Sequence, residues 1–177
     1  MKSRCCRPSA GADAVAPDRG EEHGAAHGVG PRPHGGVPIG LSAQPLDAQA
    51  LVRAVKTEQH GAVVTFLGTT RETSPDDPRP VAALEYEAYE AMAVPEMEAI
   101  ANETRERFGP LGIAMQHRTG RVELGEPSVV VVVAAPHRGA AFDACRYAID
   151  ELKSRVAVWK REVYRDGDAA WIANTAS

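Results

Sequence analysis

The chain has 177 residues, 44% hydrophobic and 25% charged, enough for one domain with a real core and some chain to spare. Its formal net charge of −4 excludes a surface that tracks nucleic acid throughout, since neutralising phosphates needs a basic excess, and no run approaches the ~18 apolar residues of a membrane span. Cys5, Cys6 and Cys145 are odd in number and two are adjacent, which rules out a spaced disulfide framework; a cytoplasmic protein with neither signal peptide nor anchor is expected.

Residues 1–37 are dominated by Gly, Ala, Pro, Arg and His without apolar periodicity. Such a composition cannot offset its ordering entropy, so a disordered tail is expected there, with the folded domain over 38–177. His23, His27 and His34 with Cys5 and Cys6 match no zinc-ligand spacing, and neither a metal nor a cofactor is expected. The sharp compositional break also fits a start site assigned too far upstream.

Over 46–55, Ala48, Leu51, Val52 and Val55 recur at helical spacing behind Asp47, which suits a first turn. Gly61 then opens a β-branched run, 62–67, that reads as a strand stopping at Gly68 and feeding a polar loop over 69–80. Between 81 and 89, Leu84, Tyr86 and Ala88 alternate with Glu85 and Glu87, the period of a strand with one wet face. Pro95 is expected in the first turn of a second helix, continued by Met97, Ile100, Ala101, Thr104 and Phe108 and ended by Gly109-Pro110.

Residues 113–122 and 129–135 read as two strands about a turn at 124–128, the unbroken valines marking a central strand buried on both faces. A third helix after Pro136-His137-Arg138-Gly139 carries Phe142, Cys145, Ile149, Leu152 and Val156 on one stripe, where Cys145 reads as an inert hydrophobe. A strand over 158–164, a turn at Asp166-Gly167 and an apolar piece around Trp171 close the chain. Interleaved helices and hairpin-like connections predict an α+β fold, a mixed and largely antiparallel sheet with about three helices and no internal repeats.

His137-Arg138-Gly139 stands where a buried strand meets a helix N-terminus, so imidazole, guanidinium and unpaired backbone N–H groups can gather into an anion site; by itself the dipeptide fits capping and solvent exposure better. Further cations follow at Lys153, Arg155, Lys160 and Arg161, with Arg71 just past the first long strand. Lys153 and Lys160 either converge on one pocket, each raising the cost of protonating the other, or form a solvated face offset by Glu151 and Glu162. Asp76-Asp77, Asp166 and Asp168 read as turn formers. The chain has no glycine-rich phosphate loop, GxSxG elbow, HExxH motif or paired CxxC.

The segments Gly61-Ala62-Val63-Val64-Thr65-Phe66, Gly68-Thr69-Thr70-Arg71, Pro136-His137-Arg138, Ala141-Phe142 and Lys153 through Trp159-Lys160-Arg161-Glu162 occur in an order that resembles the large subunit of molybdopterin synthase over residues 38–172. The resemblance implies an α/β hammerhead fold and conversion of cyclic pyranopterin monophosphate to molybdopterin. It also implies a sulfur donor, a small ubiquitin-like carrier ending in a Gly-Gly thiocarboxylate, and a homodimer of large subunits within a heterotetramer. By motif, Lys153 and Lys160 match the catalytic lysines, His137 and Arg138 the substrate-binding pair, and Thr69, Thr70 and Arg71 the loop lining the pocket, with Arg161 and Glu162 following the second lysine. Phe66 and Ile149 are candidates either for the pterin pocket or for the core. Thr69 stands where some members carry a lysine, and the N-terminal extension has no counterpart.

The alternative is a non-catalytic module that binds anions or a ubiquitin-like protein through the same cations. Catalysis predicts that Lys153, Lys160, His137, Arg138 and Arg71 line one cleft. If the start site lies downstream, intact-mass measurement of natively expressed protein will give a species lacking most of residues 1–37; a mass that includes Met1 rejects this.

Overall fold

The fold is known from a computed structural model that describes residues 38–74 and 77–172. The expectations for residues 1–37, including Cys5, Cys6, His23, His27 and His34, and for Asp76 fall outside the described residues.

Strand β6 (Pro127–Ala135) organises the domain. It pairs antiparallel with β4 (Gly112–Arg118) on one side and β2 (Ala62–Thr69) on the other, while β1 (Ile39–Ser42) adds to β4 in parallel, giving a sheet of order β1-β4-β6-β2. Both faces of this sheet are covered. Val129, Val131, Val133 and Ala135 meet helices α2 (Glu90–Phe108) and α3 (Arg138–Arg155), whereas Val130, Val132 and Ala134 meet Leu51 and Val55 of α1 (Ala48–Val55). The unbroken valine run is thus explained by period-two alternation between two apolar layers. Each fully buried valine contributes about 1.5–3 kcal/mol relative to exposure.

The second sheet has the order β5-β3-β7-β8, from β3 (Val81–Ala88), β5 (Gly120–Glu123), β7 (Val158–Tyr164) and β8 (Ala169–Ile172), all antiparallel. Tyr86, Ala88 and Val158 extend the α2/α3 core into this sheet. Among the described residues, three helices and two sheets, all antiparallel but for the β1–β4 pair, form the α+β fold expected.

Local chemistry accounts for most element ends. Asp47 caps α1 by accepting from the Ala50 N–H at 3.0 Å. Gly109 ends α2 with φ of 89°, and α3 follows the two-residue link from β6 with His137 at its N-cap. Small residues, Ala141, Ala144 and Ala148, face inward and let α3 lie close on β2 and β6. Arg155 then joins α3 to α2, its guanidinium bonding Glu96, Glu103 and Glu151 at 2.6–3.0 Å.

Four expectations need correction. Helix α2 starts at Glu90, so Pro95 is its sixth residue: Met92 and Ala93 already donate to Tyr89 and complete a turn ahead of the proline, leaving the ring to remove one later backbone bond. The strand expected over 113–122 is two strands in different sheets, because Gly120 takes φ of 73° and turns the chain out of the first sheet. Strand β2 runs through Gly68 to Thr69 with a register shift between them. Phe142 is 62% exposed and leaves the buried stripe of α3, which Ala141 and Ala144 occupy instead. Strand β1 was not anticipated at all.

A methyl group on Gly61 would meet the Pro136 carbonyl oxygen at 2.7 Å, whereas one on Gly139 would meet nothing within 4 Å. Gly61→Ala should therefore lose about 1–3 kcal/mol through overpacking. Gly139→Ala, in the first turn of α3, should be neutral or stabilising by up to about 1 kcal/mol. Urea-denaturation midpoints compare the two.

Candidate active site

The two sheets meet at the end of β4, and there the chain gathers polar groups. His117 is the last core-facing residue of β4, in step with Ile113 and Met115, and only 7% exposed. Its Nδ1 lies 2.8 Å from the Arg118 carbonyl oxygen. A carbonyl only accepts, so Nδ1 carries the proton and Nε2 is the acceptor of the neutral ring. The Tyr86 ring of β3 meets the imidazole edge-on, with centroids 4.9 Å apart at 74°. Burial pushes the His117 pKa below its usual range, and the nearby Lys153 ammonium adds to this against the opposing Arg118 carbonyl. Burial also raises the Tyr86 phenol, opposed by the neighbouring Ser128 hydroxyl, which itself donates to the Gly68 carbonyl at 3.1 Å.

The two lysines flank this pair. Lys153, on the last turn of α3, is exposed, yet its charge reaches the buried imidazole. Lys160 lies directly opposite Tyr86 in the β3–β7 register, so the two side chains share one face of the sheet. Glu162 falls on that face too; it is 5% exposed and accepts from the Tyr164 hydroxyl at 3.1 Å. Arg161 points to the opposite face, where it pairs with Glu85 and lies over the Trp171 ring. That outer face carries a shallow groove lined by Glu87, Trp159, Trp171 and Ile172.

The segment Thr69-Thr70-Arg71 leaves β2 at this same end, where Thr69 pairs with Pro127. Thr70 is clamped to the turn before β6, its N–H donating to the Glu126 carbonyl and its own carbonyl accepting from the Gly125 N–H. Its hydroxyl is buried and, among the described residues, unpartnered. Arg71 is exposed, with Nε donating to the Thr73 carbonyl at 3.0 Å. Arg155, by contrast, is consumed by its three glutamates and is not part of this cluster.

His137 and Arg138 lie elsewhere. They begin α3, beside the Ala62–Ala135 end of the sheet, whereas Lys153 ends it. Fifteen residues of helix separate Arg138 from Lys153, about 22 Å along the axis at 1.5 Å per residue. The five residues expected in one cleft therefore divide, within a single chain, into two groups at opposite ends of α3.

Residues 41–155 match the protein family described as "MoaE protein". The chain belongs to the MoaE family. A molybdopterin synthase catalytic subunit from Pyricularia oryzae is 42% identical over 136 residues, covering 77% of this chain and 74% of that protein. One from Bacillus subtilis is 37% identical over 134 residues, covering 76% and 83%. In structure, the molybdopterin synthase of Staphylococcus aureus aligns with a TM-score of 0.73 at 30% identity, over 77% of this chain and 98% of that one. The MoaE match takes in Thr69, Thr70, Arg71, His137, Arg138 and Lys153 and stops short of Lys160, Arg161 and Glu162.

Sequence reasoning missed His117, Tyr86 and Ser128. A signal was present for His117: a polar residue on the core-facing parity of a strand needs a reason to be there. Phe66 and Ile149 pack into the main core. Among the described residues no group of His, Cys, Asp or Glu is arranged to hold a metal, and no helix is long and apolar enough to cross a membrane.

Cys145 is buried against the Val131 carbonyl, and burial pushes its thiol up to about 11. Little thiolate exists below that value, so a Cys5→Ser/Cys6→Ser variant should resist thiol reagents at pH 8 while folded and react fully in denaturant. Reagent titration followed by mass spectrometry checks this, and Cys145→Ala should leave turnover unchanged.

Proposed function

We propose that this MoaE-family chain is the catalytic subunit of a molybdopterin synthase, a sulfurtransferase of molybdenum cofactor biosynthesis that converts cyclic pyranopterin monophosphate to molybdopterin. The observation that carries the reading is the flanking of the buried His117 and its half-buried partner Tyr86 by Lys153 and Lys160, in a chain whose relatives bear that enzyme's name. The sulfur comes from the thiocarboxylated Gly-Gly terminus of a small ubiquitin-like carrier. The cluster suits this chemistry. Cations hold the substrate phosphate and the carrier's terminus, and a lysine amine serves in proton transfer or as the nucleophile of a covalent intermediate. Thr69, Thr70 and Arg71 border the same end, and Glu162 sets the electrostatics beneath Lys160. Arg161 contributes from the far face of β7, through its pairing with Glu85.

His137 and Arg138 stand about 22 Å from Lys153 along α3. They join the lysines only if a second copy supplies them, which supports a homodimer with each site built from two chains, a carrier at either end completing a heterotetramer. The reaction needs neither nucleic acid nor a membrane, in keeping with a cytoplasmic enzyme. The non-catalytic reading would call for Lys153 and Lys160 to diverge; the charge of Lys153 acting on His117 and the place of Lys160 across from Tyr86 support the catalytic one.

Purified protein with thiocarboxylated carrier should convert cyclic pyranopterin monophosphate to molybdopterin. Lys153→Ala or Lys160→Ala should cut turnover by about 100-fold or more, with folding intact. Mixing Lys153→Ala with His137→Ala subunits should restore part of the activity that each lacks alone. Absence of wild-type turnover with a verified carrier would favour the binding module, and absence of complementation would leave His137 outside the shared site.

A further inference from the structure

Arg118 is a buried cation in a place where packing alone calls for none. The last residue of β4, it alternates with His117 and so falls on the strand's other face, in step with Ala114 of the α1 layer, and it is only 6% exposed. Taking a guanidinium out of water is costly, and a buried ion pair is often no more stabilising than an apolar side chain of similar volume. Its contacts show what it holds instead. Nη2 donates to the Arg121 carbonyl of β5 at 2.9 Å, and Nη1 lies 3.8 Å from Oε2 of Glu126, in the turn between β5 and β6. The same Glu126 oxygen accepts from the Glu123 N–H at 3.1 Å.

That turn carries the loop that leaves β2. The Glu126 carbonyl accepts from the Thr70 N–H at 3.0 Å, and the Gly125 N–H donates to the Thr70 carbonyl at 2.8 Å. The buried Thr70 hydroxyl has no partner among the described residues, so the turn grips Thr70 by its main chain. Two residues on, the Glu72 carbonyl accepts from the Val81 N–H of β3 at 2.8 Å. Exposed Arg71 stands between these two anchors, and the first of them is tied through Glu126 to Arg118.

We propose that Arg118 is a positioning residue for Arg71: by fixing the turn at 124–126 it sets the place from which the Arg71 guanidinium meets the phosphate of the small substrate. The role rests on the synthase reading. Arginine suits it because one planar guanidinium engages a carbonyl and a carboxylate at once in fixed geometry, which neither a lysine nor an apolar side chain reproduces. Arg118 itself meets no reacting atom, so its loss weakens substrate binding and leaves the chemical step alone.

The test places Arg118→Met, which fills similar space without charge, in the wild-type and Arg71→Ala backgrounds. Alone it should raise KM for cyclic pyranopterin monophosphate roughly 5- to 10-fold with kcat nearly unchanged, the pattern of lost uniform binding. In the Arg71→Ala background it should add little, since its effect passes through Arg71. Amide hydrogen exchange gives a readout independent of turnover: the Thr70 and Gly125 N–H groups should exchange about 10-fold or more faster in Arg118→Met, while Val131 and Val133 of β6 keep wild-type rates. An undiminished KM effect in the Arg71→Ala background, a loss in kcat alone, or unaltered Thr70 exchange would overturn the proposal. So would acceleration spread evenly through β6, the mark of a merely structural role. If Arg118→Met does not fold, Glu126→Gln removes the ion pair from its partly exposed end; the same two amides should then quicken, and wild-type rates would reject the role. Absence of wild-type turnover would count against the synthase reading, and hydrogen exchange would then decide the hold of Arg118 on the loop alone.

Discussion

Burial of β6 on both faces is the constraint from which the rest of the domain follows. A strand whose odd positions meet α2 and α3 and whose even positions meet α1 must have hydrogen-bonding neighbours on both edges and helices above and below. Its backbone groups are then satisfied by β2 and β4, and the valines supply apolar surface to two layers at once. Because α3 follows β6 after a two-residue link and runs back along it, the C-terminal turn of α3 returns to the start of β6. That return places Lys153 beside the end of β4 and the departure of β2, and sends His137 and Arg138 to the far edge.

The second sheet supplies the other wall. Gly120, with its positive φ, lifts the chain from β4 into β5, and the β3–β7 pair then brings Tyr86 against His117 and Lys160 alongside. Ionic contacts hold the surrounding loops. Arg79 bonds Asp77, Asp166 and Asp168 and lies 3.9 Å from the Tyr164 ring centre, tying the end of the loop after β2 to the β7–β8 turn. The same guanidinium holds the Asp77 carboxyl below its usual range. These contacts are largely solvent-exposed and screened, so they orient the loop rather than stabilise the core. The candidate site is accordingly a junction of two sheets bordered by one tethered loop.

Placement of the lysines shows how far residue type and position each constrain function. Lys153 and Lys160 are separated by the end of a helix and the start of a strand, and nothing in that spacing requires them to face one another. The register of β7 against β3 fixes one side of the question: it puts Lys160 and Glu162 on the face of Tyr86 and turns Arg161 outward to Glu85 and Trp171. A shift of one residue would exchange them.

Much of this was legible in the sequence. Helical spacing behind Asp47, the alternation around Tyr86, the valine run and the strand at 158–164 are local patterns, and local patterns survive because burial acts on every second or every third and fourth residue. Ordered motifs also gave Thr69 to Arg71, His137-Arg138 and the two lysines as candidates for the site. Tertiary structure decided what those patterns leave open. A helix can begin ahead of Pro95 when Tyr89 offers its carbonyl, and one glycine can divide a continuous apolar run between two sheets. Phe142 faces solvent because alanines already fill the close contact of α3. Above all, the fold decided that His117 joins the lysines and that His137 and Arg138 do not within one chain, because distance across α3 and register across β7 are properties of long-range packing.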